Sequence, residues 1–306
     1  MTHKEFRSYQ EQVVLLKSRK MVVSNSQVAE HFLERVNYYR LSGYWYSFFN
    51  QEQDCFVKGF TFDDVIALYW YDKDLRICLF EILSEIELSM RALIGYELGR
   101  LDPFCYLDVS SMGARAAQFS KHSQTKQGAS ITNHENWLKH FNRTKDQSKE
   151  EFIKHYDRLY EGKMPIWVAV EIMDWGLLSH LYSLCPRMVQ DSIANNCKLS
   201  APQLESWLKS LNVARNYVAH HARMYNRIFT VKPKLPYDKK WRLFKERSNK
   251  IFAIIAMVVY LGRVFDTTAV SNVYNLIEAF PRNTRAREHT MGISINWQDC
   301  IDALNP

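Results

Sequence analysis

Residues 61–100 read TFDDVIALYWYDKDLRICLFEILSEIELSMRALIGYELGR, and the pattern is helical almost throughout. Thr61 stands where an N-cap is wanted, with Asp63 and Asp64 in the first turn. Leu75, Leu79, Ile82, Ile86 and Leu93 recur at helical spacing, interleaved with Asp74, Arg76, Glu81, Glu85, Glu87 and Arg91. The spacing predicts one long helix to about Arg100. Glu87 and Arg91, four residues apart, read as an ion pair on it, either structural or supporting a site.

Helical signals also dominate on either side. Tyr9–Lys20 and Ser26–Asn37 read as short amphipathic helices. Between them and Thr61 lies Tyr38-Tyr39-Arg40-Leu41-Ser42-Gly43-Tyr44-Trp45-Tyr46-Ser47-Phe48-Phe49, an aromatic cluster read chiefly as core, with base stacking as the other use. Residues 109–150 are polar and read as a loop or mobile insertion with short helical pieces, in which His122, His134 and His140 show no ligand spacing. A helix resumes at Met164-Pro165-Ile166-Trp167 and is expected to run to about Leu184, before Cys185-Pro186. On it Glu171 lies among Val170, Ile172 and Met173, as an inward carboxylate or an ordinary flank residue. Ser200-Ala201-Pro202-Gln203 opens a further helix, expected to reach about Tyr225, and Trp241–Phe265 reads as the last strong one before a polar tail. The organisation expected is an N-terminal helical and aromatic region (1–60), a helical domain (61–265) with its insertion, and a C-terminal segment (266–306) packed on that domain.

Composition narrows the function. With 306 residues, 47% apolar and 14% aromatic, the chain can bury a sizeable core, while 10 Gly and 8 Pro are too few for a turn-rich all-β protein. Six cysteines without a Cys-x-x-Cys pair argue against a zinc site or disulfide framework. No cofactor or metal is expected. The N-terminus lacks the apolar run of a signal peptide, and Ile251–Leu261 is too short to span a bilayer; a cytoplasmic protein without membrane contact is expected. Net charge is +7, yet residues 212–250 hold eleven Lys/Arg against Asp238 and Glu246, a local +9 that leaves −2 for the rest. Such a surface suits phosphates, although a solvated lysine-rich connector explains 232–250 as well.

The excess begins at Arg215-Asn216-Tyr217-Val218-Ala219-His220-His221-Ala222-Arg223-Met224-Tyr225-Asn226-Arg227, inside a stretch with no acid from Asn212 to Tyr237. Guanidiniums can hold a polyanion, and an imidazole can move a proton near neutral pH. RNA is the polyanion whose own 2′-hydroxyl makes such a pair sufficient for cleavage. Candidate catalytic residues are Arg215, His220 and Asn216. Candidate RNA contacts are His221, Arg223, Asn226, Arg227, Lys232, Lys234, Lys239, Lys240 and Arg242, with Glu87, Arg91 and Glu171 in support.

On an ideal helix with Leu204 at zero, Trp207, Leu208, Leu211, Ala214 and Val218 form a buried stripe. Arg215 falls at about 20°, on its edge, His220 at about 160° beside Asn216, and His221 at about 260°, where a structural role suits it better. Arg215 and His220 are thus about 140° and about 7.5 Å apart, so one helix does not converge them on one atom. Two facing copies would, which points to a two-fold dimer with a composite site.

Arg215-Asn216-x-x-x-His220 resembles the Arg-x(4–6)-His motif of HEPN (higher eukaryotes and prokaryotes nucleotide-binding) ribonucleases. The wider chain is similar to bacterial abortive-infection proteins of the Abi AbiD/AbiF-like group. The likeness rests on Asn37–Trp45, Ile86–Arg91, Pro165-Ile166-Trp167 with Glu171, Trp175-Gly176-x-x-Ser179-x-x-Tyr182, Arg215–Arg227, and Met291-Gly292 with Trp297. It implies an all-α, HEPN-like helical bundle, dimerisation across the motif helices, and metal-independent RNA cleavage leaving a 2′,3′-cyclic phosphate, in phage defence. Arg215 would hold the scissile phosphate, His220 transfer protons, and Asn216 orient one or the other. Tyr225 stands where many relatives have tryptophan. The alternatives are a non-catalytic module that holds a small regulatory RNA, and a purely structural interaction protein.

Overall fold

A computed structural model describes residues 5–124, 130–282 and 287–306. In chain order its α-helices are α1 (Tyr9–Ser18), α2 (Ser26–Arg35), α3 (Tyr38–Trp45), α4 (Phe62–Gly99), α5 (Asn133–Gln147), α6 (Glu151–Leu159) and α7 (Ile166–Ala169). They continue as α8 (Trp175–Leu184), α9 (Arg187–Asn196), α10 (Ala201–Ala219), α11 (Arg242–Glu246), α12 (Ile251–Val264), α13 (Asn272–Glu278) and α14 (Trp297–Asp302). Two small antiparallel pairs, β1 (Phe49–Asn50) with β2 (Cys55–Phe56) and β3 (Phe119–Gln124) with β4 (Ser130–Thr132), complete an all-α fold.

The 38-residue α4 is the central post. Thr61 accepts from the Asp64 N–H and Asp64 accepts from the Thr61 N–H, each at 2.9 Å, so the expected start is a reciprocal capping box. Helices α3, α7, α9, α10, α12 and α13 pack around it, which explains why Leu68, Leu75, Leu79, Ile82, Ile86, Met90, Ile94 and Leu98 are all buried. Short α7 rides close to α4 because Gly95 and Gly99 present no side chain there. A Cβ on Gly99 would stand 2.9 Å from the Trp167 ring. Helix α12 is buried on every side from Ile251 to Gly262, as an all-apolar helix must be. No helix among the described residues is long and apolar enough to cross a membrane. One apolar cluster joins Val13 and Leu41 at one end of the chain to Trp297 and Leu304 at the other. All six cysteines are buried free thiols.

Several boundaries differ from expectation, each for a local reason. The run expected from Met164 to Leu184 breaks at Met173, because Asp174 caps a new helix by accepting from the Leu177 N–H at 2.7 Å. The run expected over Trp241–Phe265 divides into α11 and α12 around Ser248-Asn249, where the Asn249 carbonyl accepts from the Phe229 N–H at 2.9 Å. The polar insertion holds a longer helix than the short pieces expected. It carries the 15-residue α5, docked by Trp137 (Nε1 to the Leu177 carbonyl, 3.0 Å), by Phe141 stacked on Trp137 at 5.3 Å, and by buried His134. Only three side chains of α5 turn fully inward, so its composition reads as loop. His134 bonds the Tyr106 carbonyl at 2.8 Å and His140 is exposed, whereas the His122 side chain lies outside the described residues. The polar C-terminal segment likewise holds α13 and α14, with Met291, Trp297, Ile301 and Leu304 buried.

Candidate functional site

Helix α10 buries Leu204, Trp207, Leu208, Leu211, Ala214 and Val218, the stripe expected of it. Its N-terminus is held by the Gln203 side chain, which accepts from the Ser200 N–H at 2.9 Å. Its C-terminus comes earlier than expected, at Ala219 rather than near Tyr225. His220 is the cap, and the chain reverses through His221 at φ +55°. The Ala222 N–H reaches back to the Tyr217 carbonyl at 2.8 Å and the His221 N–H to the Val218 carbonyl at 3.2 Å. This is a Schellman motif with histidine in the left-handed position that usually belongs to glycine. Arg40 closes the end by donating from Nη2 to the His221 carbonyl at 2.6 Å. His221 is thus a turn residue, exposed, whose backbone decides where the motif helix stops.

Arg215 stands on the edge of the stripe, its side chain 29% exposed, and meets Glu87 of α4 with Nε 3.4 Å from Oε2. The same carboxylate accepts from Arg91 Nη2 at 2.5 Å, and Arg91 Nη1 donates to the Glu171 carbonyl at 3.1 Å. Three residues picked out as supports therefore do gather behind Arg215, but Glu171 contributes its backbone. Its side chain is exposed and lines an open groove with Thr144, Gln147 and Phe152, so the inward-carboxylate reading is set aside for the flank one. A carboxylate shared by two guanidiniums fixes Arg215 through Nε. Among the described residues the Arg215 side chain makes no hydrogen bond, and its ion pair with Glu87 is through Nε.

His220 and Asn216 are both exposed, and the His220 N–H donates to the Asn216 carbonyl at 3.0 Å. The His220 imidazole makes no hydrogen bond or ion pair among the described residues. Arg215 turns toward α4 and His220 stands at the exposed helix end.

The sequence reading missed Asp72. This fully buried carboxylate of α4 accepts from the Met224 N–H at 2.9 Å and the Tyr225 N–H at 2.5 Å through Oδ1. Through Oδ2 it accepts from the Tyr44 hydroxyl at 2.7 Å and from Arg76. Burial, then the neighbouring Asp72 charge, pushes the Tyr44 hydroxyl well above its ordinary range, so it stays a donor. Asp72 thereby ties three distant pieces together: the aromatic segment, the long helix and the turn after the motif. The spacing of Asp72 and Arg76, four apart on the predicted helix, was the available signal.

Two cations expected on an open RNA surface are instead used inside this turn. Half-buried Arg223 donates to the Tyr225 carbonyl at 2.9 Å, and burial, then Arg227, lowers its basicity. It fills the space above Gly43, where an added Cβ would stand 3.0 Å from Nε. Arg227 lies over the Tyr217 ring at 4.2 Å and donates to the Arg223 carbonyl. Asn226 takes a left-handed φ of +49°. Farther along, Lys232, Lys234, Lys239 and Arg242 are exposed, while Lys240 sits over the Tyr260 ring at 5.4 Å and donates to the Asn305 carbonyl. Among the described residues, no three His, Cys, Asp or Glu side chains cluster so as to hold a metal ion.

No curated protein and no solved structure matches the chain. The family model described as Abi-like protein matches residues 31–226, well over half of its length. That span carries Arg40, Asp72, Glu87, Arg91 and the motif as far as Asn226, and on it the chain belongs to the Abi-like protein family.

Proposed function

We propose that the protein is a metal-independent endoribonuclease of the HEPN type, of the AbiD/AbiF-like group, acting as a cytoplasmic effector of abortive infection. Membership of the Abi-like family suggests phage defence; the chemistry is read from the motif. The observation that carries it is the partly exposed Arg215, paired at Nε with Glu87 and with its outer nitrogens unbonded among the described residues, one and a half turns before an exposed imidazole.

In this reading Arg215 binds the scissile phosphate through its outer nitrogens and meets the negative charge that grows on the non-bridging oxygens. One imidazole takes the proton of the 2′-hydroxyl as its oxygen bonds to phosphorus. A second protonates the departing 5′-oxygen, leaving a 2′,3′-cyclic phosphate and a 5′-hydroxyl. Asn216 orients His220 or the phosphate. Arg215 turns toward α4 while His220 stands at the helix end, so in this reading the site is completed by a second copy facing α10. Exposed Lys232, Lys234, Lys239 and Arg242 draw the strand in.

The test is cleavage of RNA by purified protein in EDTA. Wild type cuts and sediments as a dimer, and His220→Ala binds RNA without cutting. Cleavage that survives His220→Ala rejects the assignment. A non-catalytic module that holds a small regulatory RNA is the second reading, favoured by an imidazole that no neighbouring side chain orients. It predicts RNA affinity unchanged by His220→Ala and no cyclic-phosphate ends with either protein.

A further inference from the structure

Helices α2 and α4 enclose a groove of about 400 Å³ that plays no part in the chemistry above. Its wall is aromatic. The Phe32 ring meets Tyr69 edge-on at 5.4 Å and Trp70 at 6.1 Å, and Tyr69 meets Trp70 at 5.3 Å. Trp70 is 43% exposed, although an indole carries more apolar area than most side chains left at a surface.

Three cations frame these rings. Arg35 lines the groove, Lys73 holds its ammonium 5.0 Å from the centre of the Trp70 ring, and the Arg40 guanidinium lies 5.9 Å from the centre of the Tyr69 ring. No carboxylate lines the groove, while Glu30 and Glu34 line the neighbouring one between α1 and α2. Glu34, next to Arg35 in the chain, is engaged with His31 at 3.4 Å. The amides of Asn25 and Gln27 stand at the rim. Asn25 Oδ1 accepts from the Val28 N–H at 3.2 Å, which leaves its NH₂ as a donor.

Arg40 links the wall of the groove to the motif turn. Arg40, over Tyr69, is the residue whose other edge donates to the His221 carbonyl. One guanidinium therefore separates the aromatic wall from the residue beside His220.

We propose that this groove is a base-stacking subsite for single-stranded RNA, which receives nucleotides flanking the linkage at the motif turn. The proposal rests on the reading of RNA as the ligand. A base stacks on the exposed Trp70 indole while the Lys73 ammonium moves from the ring to a phosphate. Arg35 and Arg40 hold the neighbouring phosphates, and the rim amides meet a base edge. Aromatic faces flanked by cations and free of carboxylates fit a polyanion with flat bases better than a peptide, whose backbone needs paired donors and acceptors. The site accepts any base, because every base has a π-face, and it accepts single strands only, because a duplex hides those faces.

The experiment measures binding of fluorescein-labelled 12-mer oligoadenylate, and of an abasic oligomer of equal length, to full-length protein in the His220→Ala background. Adding Trp70→Ala is expected to weaken oligoadenylate binding roughly tenfold. Trp70→Phe should restore most of it, and the abasic oligomer should bind equally to all three proteins. An unchanged urea midpoint shows the fold intact, and crosslinks from 6-thioguanosine-containing RNA should map to the peptide holding Tyr69 and Trp70. Undiminished oligoadenylate affinity in Trp70→Ala overturns the subsite and leaves the ribonuclease reading standing. So does a change of oligomeric state without a change in affinity, which would give the groove to a second copy of the chain. A His220→Ala protein that binds neither oligomer removes both the subsite and the reading beneath it.

Discussion

Asp72 and Glu87 are two carboxylates of one helix, fifteen residues apart, and both reach across to the motif segment. Asp72 is sealed: two backbone N–H groups, a hydroxyl and a guanidinium leave it nothing further to bind. Glu87 is shared between two guanidiniums, one of them 29% exposed. The first arrangement is a lock, since a buried charge whose lone pairs are all satisfied resists any rearrangement that would strand it. The second restrains a cation at one edge and leaves the other edge open. What separates the roles is the company each carboxylate keeps. Backbone donors cannot leave and so make structure, whereas an arginine held only by Nε can still grip a phosphate.

Asp72→Ala attacks the lock and should cost about 3–5 kcal/mol, since it strands Arg76 and two N–H groups in the interior. Urea unfolding followed by circular dichroism measures it, and a loss below about 1 kcal/mol would show the lock to be incidental. Arg215→Ala should lower RNA cleavage roughly 10²–10³-fold, the scale for deleting one preorganised donor, with stability within about 1 kcal/mol of wild type. Equal damage to folding and cutting would place Arg215 with Asp72 as structure. Glu87→Gln should fall between, costing about 1–3 kcal/mol because Arg91 and Arg215 lose a charged acceptor. It should also cut more slowly, since Arg215 is no longer fixed. Gly43→Ala pushes a methyl onto Arg223 and should cost about 1 kcal/mol, confined to the lock side, with cleavage unchanged once folded. His221→Gly should be the mildest: stability equal to wild type or higher by up to about 1 kcal/mol, with cleavage retained. Loss of cleavage there would move His221 from turn residue to catalyst.

The sequence showed the long helix, its cap and the buried stripe of α10, because each depends on spacing within one element. It also collected Glu87, Arg91 and Arg215, through an i,i+4 pair and a motif. It did not show that Arg223 and Arg227 turn inward. Their charge reads the same whether it faces water or a carbonyl, and only the left-handed turn at His221 redirects them. Asp72 showed only half of its role: its spacing to Arg76 was legible, but its partners Tyr44, Met224 and Tyr225 lie far off in sequence, and a helical aspartate beside Lys73 and Asp74 reads as solvated. The stretch 133–147 read as loop with short helical pieces, not as one 15-residue helix, because two aromatics and a histidine dock it while the rest is polar.

The most direct measurement of the central claim uses a random-sequence RNA pool and its fully 2′-O-methylated counterpart, each incubated with wild-type protein in EDTA, with the fragment ends read by mass spectrometry. Cleavage through the 2′-hydroxyl gives 2′,3′-cyclic phosphate and 5′-hydroxyl ends from the first pool and no fragments from the second. Cutting of the methylated pool, or fragments ending in a 3′-hydroxyl, would contradict it.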